Sequence, residues 1–287
     1  MNLFLQQLLN GLSNGSVYTL VALGLTMVFG ILHVPNFAHG AFYMIGAYIT
    51  LTVMTLFGIP YWIAMFLSMI SIAIIAVATE RFIFNPLRKA EALHQMIGAI
   101  GILLFLTALA QIVWGPNYQQ MTSPYGHAVD FLGVTFTQQR LIVIFAAVVI
   151  MLILHFFLTK TMIGSAIIAM AQNREGAYLV GINANVVAML TFAISGILAA
   201  AAATLSSPIN LVFPSMGDLV IMKAFVIIII GGMGSIPGAI IAGYLLGIVE
   251  SFGATYISGD YKDVIAFALL VIILTVKPTG LFARRIS

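Results

Sequence analysis

Cysteine is absent from this chain, so a disulfide framework and a thiolate metal site are both excluded. Charge is nearly as scarce, with 11 basic and 8 acidic residues in 287, while 62% of the residues are hydrophobic. A soluble globule of this size needs far more polar surface, so the composition indicates an all-α, polytopic helical membrane protein. Met1 to Leu9 lacks a basic n-region, and a cleaved signal peptide is not expected. The formal net charge of +3 follows the loops between apolar runs and gives no nucleic-acid footprint. Catalytic constellations are missing as well. The histidines at 33, 39, 94, 127 and 155 show no paired ligand spacing, and serine, histidine and acid do not cluster. The stretch Gly231-Gly-Met-Gly-Ser-Ile-Pro-Gly238 is rich in glycine but lacks the lysine of a phosphate-binding loop. The expectation is a non-enzymatic chain that holds no metal and no cofactor.

What is present is a succession of apolar runs, at roughly Leu12–Leu32, Phe37–Phe57, Ile59–Thr79, Met96–Trp114, Leu141–Leu158, Val186–Leu205, Leu219–Ile230, Ala239–Thr255 and Val264–Val276. A helix needs about 20 apolar residues to cross a bilayer, which gives eight to nine crossings in a single transmembrane domain over residues 1–287. The segment His33–Asn36 reads either as a tight turn between two spans or as a break within one. Arg81, Arg88 and Lys89, then Lys160 and Arg174, then Lys277, Arg284 and Arg285 fall on one side of the bilayer. The excess of lysine and arginine makes that side cytoplasmic, the C-terminus included. The first span carries no flanking charge, and this rule leaves the N-terminal side open.

Four polar features interrupt the runs. Gly164 to Gly181 forms a polar island on the basic side, within a loop of about 159–186, and presents a docking place for a partner. In it Asn173 suits a helix cap, Glu175 lies in the first turn where the helix dipole favours a carboxylate, and Gly181 suits a left-handed close. The expected helix runs from Arg174 to Val180, with Ala177 inside it. Second, Asn36-Phe-Ala-His-Gly40 reads as a turn with Asn36 as N-cap. Its functional reading is a helix start facing a translocation path, whose N–H groups receive a carboxylate. Third, Gly231 to Gly238 reads as a hairpin between packed helices, with a path-lining break at Gly232 and Gly234 as the alternative. Fourth, Lys223 and Glu250 lie inside spans, where ionisable groups are costly, and read as an ion pair or as part of a gate.

The residues carry a resemblance as well. Gly11-Leu-Ser-Asn-Gly-Ser-Val-Tyr-Thr-Leu-Val-Ala-Leu-Gly-Leu-Thr-Met-Val-Phe-Gly30, Asn36-Phe-Ala-His-Gly40 and Met44-Ile-Gly-Ala-Tyr48 come first. Ala171-Gln-Asn-Arg-Glu-Gly-Ala177, Gly181-Ile-Asn183, Thr191-Phe-Ala-Ile-Ser-Gly196, Lys223-Ala-Phe225, Gly231 to Gly238 and Lys277-Pro-Thr-Gly-Leu-Phe282 follow in order. Together they resemble the H-type permease subunit of bacterial branched-chain amino acid ABC importers, more than its sister M-type subunit. The polar island then looks like the coupling loop of importer permeases, Glu-Ala-Ala, three residues, Gly. Here it reads Glu175-Gly-Ala177 and Gly181, with Gly176 departing from the first alanine. The resemblance implies an importer fold in the inner membrane, with Asn173, Arg174, Glu175, Ala177 and Gly181 in the coupling loop. It implies a homologous M-type permease, two cytoplasmic ATPases that use ATP and Mg, and an outer-side solute-binding protein. The implied cargo is leucine, isoleucine and valine. Urea, short-chain amides or other amino acids are an alternative within the class, and a stand-alone channel or ion-coupled carrier is the alternative outside it.

Overall fold

A computed structural model of the protein describes residues 2–32, 34–88, 90–131 and 134–282. Lys89, Arg284 and Arg285 of the orientation argument, and His33 at the ambiguous break, lie outside the described residues. The chain forms α1 (Asn2–Leu32), α2 (Ala38–Phe57) and α3 (Tyr61–Thr79), which continues through a π-helical turn (Glu80–Phe84) into α4 (Asn85–Leu87). Then come α5 (Ala92–Trp114), a hairpin of β1 (Ala128–Phe131) and β2 (Val134–Thr137), α6 (Gln138–Lys160), α7 (Met162–Gln172) and α8 (Arg174–Leu179). The last helices are α9 (Ala184–Ser206), α10 (Met216–Gly231), α11 (Ile236–Tyr256) and, after a short 3₁₀ turn (Gly259–Tyr261), α12 (Lys262–Val276).

Among the described residues seven helices are long and apolar enough to cross a membrane: α1, α2, α3 with its continuation to Leu87, α5, α6, α9 and α11. The remaining two apolar runs are α10, of 16 residues, and α12, of 15. At 1.5 Å per residue each reaches about 24 Å, short of a straight crossing. Buried α10 leans on its neighbours, whereas α12 buries Ala266 alone. The β1–β2 hairpin departs from the all-α expectation. It pairs Ala128 with Thr137 and Val129 with Phe136, antiparallel, in the long loop after α5.

The bundle is built around α1, whose middle is buried on every side. In lipid, helix contacts rest on close packing, and small residues permit it. A Cβ on Gly11 would lie 2.8 Å from the Ile248 Cα, and one on Gly15 3.0 Å from the Tyr244 Cα. Gly243 and Gly247 of α11 face Thr19 and Gly15 in return, so the two helices pack antiparallel along a seam of small residues. A Cβ at Gly247 would meet the backbone of Gly15 and the Gly11 carbonyl, neither of which can rotate away. Gly247→Val is therefore expected to destabilise the bundle by about 1–3 kcal/mol or more through overpacking. Heating the detergent-purified protein and following monodispersity by size-exclusion chromatography checks it; an unchanged midpoint would mean that the seam is looser than described.

This pairing also settles the N-terminal side relative to the basic loops. The Gln6 amide reaches the Thr135 carbonyl and Ser251 bonds Gln7, so α1 begins at the end that carries the hairpin. Its far end meets α7, where Gly30 approaches Ala171.

The break near residue 36 is a return within the bundle. α2 starts beside the middle of α1, with the His39 Nε2 2.9 Å from the Val21 carbonyl oxygen. From there it runs parallel to α9: His39 meets Ser195, Gly46 meets Ala200 and Thr50 meets Thr204. α1 and α2 are thus separate helices, and Val34 and Asn36 in the irregular stretch between them are buried in protein, the condition under which non-helical backbone is tolerated at membrane depth.

Candidate functional site

The segment between α6 and α9 is organised by three successive side-chain caps. Thr161 accepts from the Gly164 N–H at 3.0 Å and opens α7; Asn173 accepts from the Gly176 N–H at 2.9 Å and opens α8. Asn183 accepts from the Asn185 N–H at 3.0 Å and opens α9. Each cap satisfies a donor that the first helical turn leaves without a partner. α8 ends in a Schellman motif, in which the Gly181 N–H donates to the Tyr178 carbonyl and the Ile182 N–H to the Ala177 carbonyl. This close needs a left-handed residue, and Gly181 has φ +82°. The result is a six-residue helix fixed at both ends by its own sequence.

The two faces of α8 differ. Ala177 is buried against the bundle, while Glu175 and Gly181 are exposed and Arg174 half-buried. Tyr178, Leu179 and Val180 turn outward, with Leu179 88% and Val180 76% exposed. Ala177 therefore belongs to the support of the loop and not to its presented surface. An exposed apolar tip on a rigid helix is a shape that a soluble partner's cleft receives. Arg81, Arg88, Lys160 and Lys277 lie at the same end of the bundle.

The other sequence-predicted residues fall into separate places. The Lys223 ammonium bonds the wholly buried Glu250 carboxylate, reaches Asp263 at 3.0 Å, donates to the Tyr18 hydroxyl at 3.2 Å and lies over the Tyr18 ring. One cation thus ties α1, α10, α11 and the start of α12 together. His39 is fully buried, with one ring nitrogen on the Val21 carbonyl and the other 3.0 Å from the Ser195 hydroxyl. Gly40 packs against the backbone of Gly217. The Asn36 side-chain oxygen accepts from the Ala38 N–H, and the next two amides donate to the carbonyls of Asn36 and Phe37. These first donors of α2 are occupied, so this helix start does not offer open N–H groups to a carboxylate, contrary to the expectation from sequence. The Phe37 ring rests on Phe225 with centroids 5.0 Å apart.

Gly232 (φ +95°) and Gly234 (φ +82°) form the tight turn between α10 and α11. The C-terminal strap covers that turn: the Leu281 N–H donates to the Ile230 carbonyl and the Phe282 N–H to Gly231. This hairpin lies at the far end of α10 from Gly217, about 20 Å from the Asn36–Gly40 segment at 1.5 Å per residue. Gly232 and Gly234 and the group Asn36, Phe37, His39 and Gly40 thus stand at different depths of the bundle.

A second buried ion pair went unread in the sequence. Arg88 bonds Glu80, whose side chain is wholly buried, and its other terminal nitrogen donates to the Asn185 side-chain oxygen at 2.6 Å. Eight positions along a regular helix separate two residues by about 12 Å, so nothing in the spacing announces this pair. The π-helical turn at Glu80–Phe84 alters the path and makes it possible.

Comparison with known proteins identifies the family. The family model described as "Branched-chain amino acid transport system / permease component" matches residues 7–274. The high-affinity branched-chain amino acid transport system permease protein LivH of Escherichia coli (strain K12) is 38% identical over 296 residues, covering 98% of this chain and 96% of that protein. The corresponding LivM protein of Salmonella typhimurium is 23% identical over 299 residues, covering 92% of this chain and 67% of its own length. Among solved structures, PsaBC from Streptococcus pneumoniae in complex with Fab shares the fold, with a TM-score of 0.52 at 14% identity over 96% of this chain and 92% of that one. The full-length match to the family model and the identity to LivH show that this chain belongs to the family of branched-chain amino acid transport permease components.

Proposed function

We propose that this chain is the H-type permease of an ATP-driven importer that moves leucine, isoleucine and valine across the inner membrane. The basic end, with α8 and the C-terminus, is cytoplasmic, in keeping with the positive-inside rule. There α8 is the docking surface of an ATPase subunit. A homologous M-type permease completes the bundle, and a second ATPase and an outer-side solute-binding protein complete the importer. ATP and Mg are used by the ATPases; this chain supplies the path and no catalytic group. The observation that carries the reading is the exposed Tyr178-Leu179-Val180 tip on a helix capped at both ends, in a chain of this family. Conformational change in a permease needs a partner whose binding differs between two states, and a rigid apolar tip transmits such a difference.

The absence of native cysteine makes the test direct. A single cysteine at Leu179, 88% exposed, is introduced and the neighbouring genes are co-expressed. Membranes are treated with a short bifunctional thiol-to-amine cross-linker, and products are identified by mass spectrometry. An adduct with an ATPase subunit, together with ATP-dependent uptake of labelled leucine, is the expected result. If a control cysteine on another docking surface cross-links while Leu179→Cys gives no ATPase adduct, and uptake proceeds without ATP, the chain is a stand-alone carrier.

A further inference from the structure

The Glu80–Arg88–Asn185 contact joins two parts of the molecule that also meet along the α3–α9 packing and where the Phe84 ring of the π-helical turn rests on Phe192 of α9. On one side stands the end of the coupling segment. Asn185 is the second residue of α9, and Val180 to Asn183 alone separates α9 from α8. The Schellman close and the Asn183 cap occupy that short link, which leaves little slack between a displaced α8 and the first turn of α9. On the other side stands the α3–α5 turn. α5 is anchored at its far end, where the Trp114 indole donates to Thr52 at 2.7 Å and stacks on Tyr48. At its near end it rests on the π-helical segment, with Gly98 against Leu87 and Ile83. Arg88 is thus a polar link between the start of α9 and the π-helical segment on which the near end of α5 rests.

The hydrogen bonding is incomplete in an informative way. A guanidinium and a carboxylate match as a two-pronged fork. Here Arg88 gives one terminal nitrogen to Glu80 and the other to Asn185, while the buried Glu80 Oε2 and Arg88 Nε have no hydrogen-bond partner among the described residues. Those two atoms are the second prong of the fork. Closing that fork uses the Nη2 already on Glu80 and leaves Nη1 free, so Glu80 can hold Arg88 whether the Asn185 contact is made or broken. A buried ion pair is a poor way to gain stability, since apolar replacements of similar volume are often as stable, and π-helical turns recur where a helix serves a functional purpose.

We propose that Glu80, Arg88 and Asn185 are positioning residues that link the α8–α9 segment to the α3–α5 turn, with the Arg88–Asn185 contact made and broken as the importer changes state while Glu80 keeps Arg88 in place. The inference rests on the proposed docking of an ATPase at α8. With the contact made, displacement of α9's first turn pulls the π-helical segment with it. With it broken the two parts move separately, and the bundle resets.

The test is made on the whole importer in proteoliposomes, by measuring solute taken up per ATP hydrolysed. Asn185 is exposed, so Asn185→Ala leaves the buried pair and the fold in place. It is expected to lower uptake per ATP by at least about five-fold, the lower end of typical coupling energies, with the Leu179→Cys cross-link to the ATPase unchanged. Asn185→Asp keeps an acceptor for Arg88 and should retain coupling. The pair Glu80→Leu with Arg88→Leu removes the charges without orphaning either and should be uncoupled in the same way. Wild-type uptake per ATP in Asn185→Ala overturns the inference, as does an equal fall in uptake and ATPase docking, which marks a merely structural role. Loss of the cross-link in the otherwise unsubstituted protein would instead overturn the docking reading itself.

Discussion

Lys223→Met is expected to cost the folded bundle about 3–5 kcal/mol, the usual penalty for stranding a buried charge, and Glu250→Gln clearly less. The asymmetry follows from how the cation is shared. Glu250 has no exposed side-chain area, and its ion pair is to Lys223. Removing the ammonium leaves a carboxylate among α1, α10 and α11 without its cation, and the neutral Tyr18 hydroxyl beside it does not replace that charge. Removing the Glu250 charge leaves Lys223 with Asp263, whose side chain is 52% exposed, and with the Tyr18 hydroxyl and ring. Combining Glu250→Gln with Lys223→Met removes both buried charges and should recover part of the loss. The comparison is made by heating the three detergent-purified variants and scoring the fraction that stays monodisperse. Equal midpoints for the two single variants, or a double variant no better than Lys223→Met, would show that the pair is not what holds these helices.

Much of the architecture was legible because the bilayer leaves few alternatives. A spanning segment must satisfy its backbone internally, so each of the nine apolar runs became one helix. The α8 segment was legible for a different reason: its cap at Asn173 and its left-handed close at Gly181 depend on residues within a few positions of each other. What escaped is non-local. The depth at which α2 begins is set by the contact of His39 with Val21 and Ser195, 18 and 156 positions away in the chain. That contact makes His39 a hydrogen-bonded packing group, the more ordinary role for a lone histidine, with partners that local sequence could not name. The inward face of Ala177 was not readable either, since a helix of six residues has too few turns for an apolar period to declare itself. Arg88 was visible as a flanking charge, but the π-helical turn that brings Glu80 to it has no signature in spacing.

The variant that separates folding from docking is Leu179→Asp. Leu179 is 88% exposed, and α8 is held by Asn173 and the Schellman hydrogen bonds, none of which uses the Leu179 side chain. A substitution at such a surface position changes stability by no more than about 0.5 kcal/mol, so yield and melting behaviour of the isolated chain should match the unsubstituted protein. In a docked complex the position differs. Burying a leucine contributes about 1.5–3 kcal/mol, equivalent to roughly 10–100-fold in affinity, and an unpaired carboxylate placed in the same apolar cleft costs more again. ATPase subunits should fail to copurify with Leu179→Asp, and uptake of labelled leucine into cells should fall to background. Gly181→Pro gives the complementary case: its ring fixes φ near −65° where the chain requires +82°, and it deletes the N–H that donates to Tyr178. That variant loses the shape of α8 as well as its contacts and should abolish uptake by a different route. Uptake at the wild-type rate in Leu179→Asp, with the ATPases still bound, would remove α8 as the docking surface, because a charge cannot enter an apolar cleft without that loss.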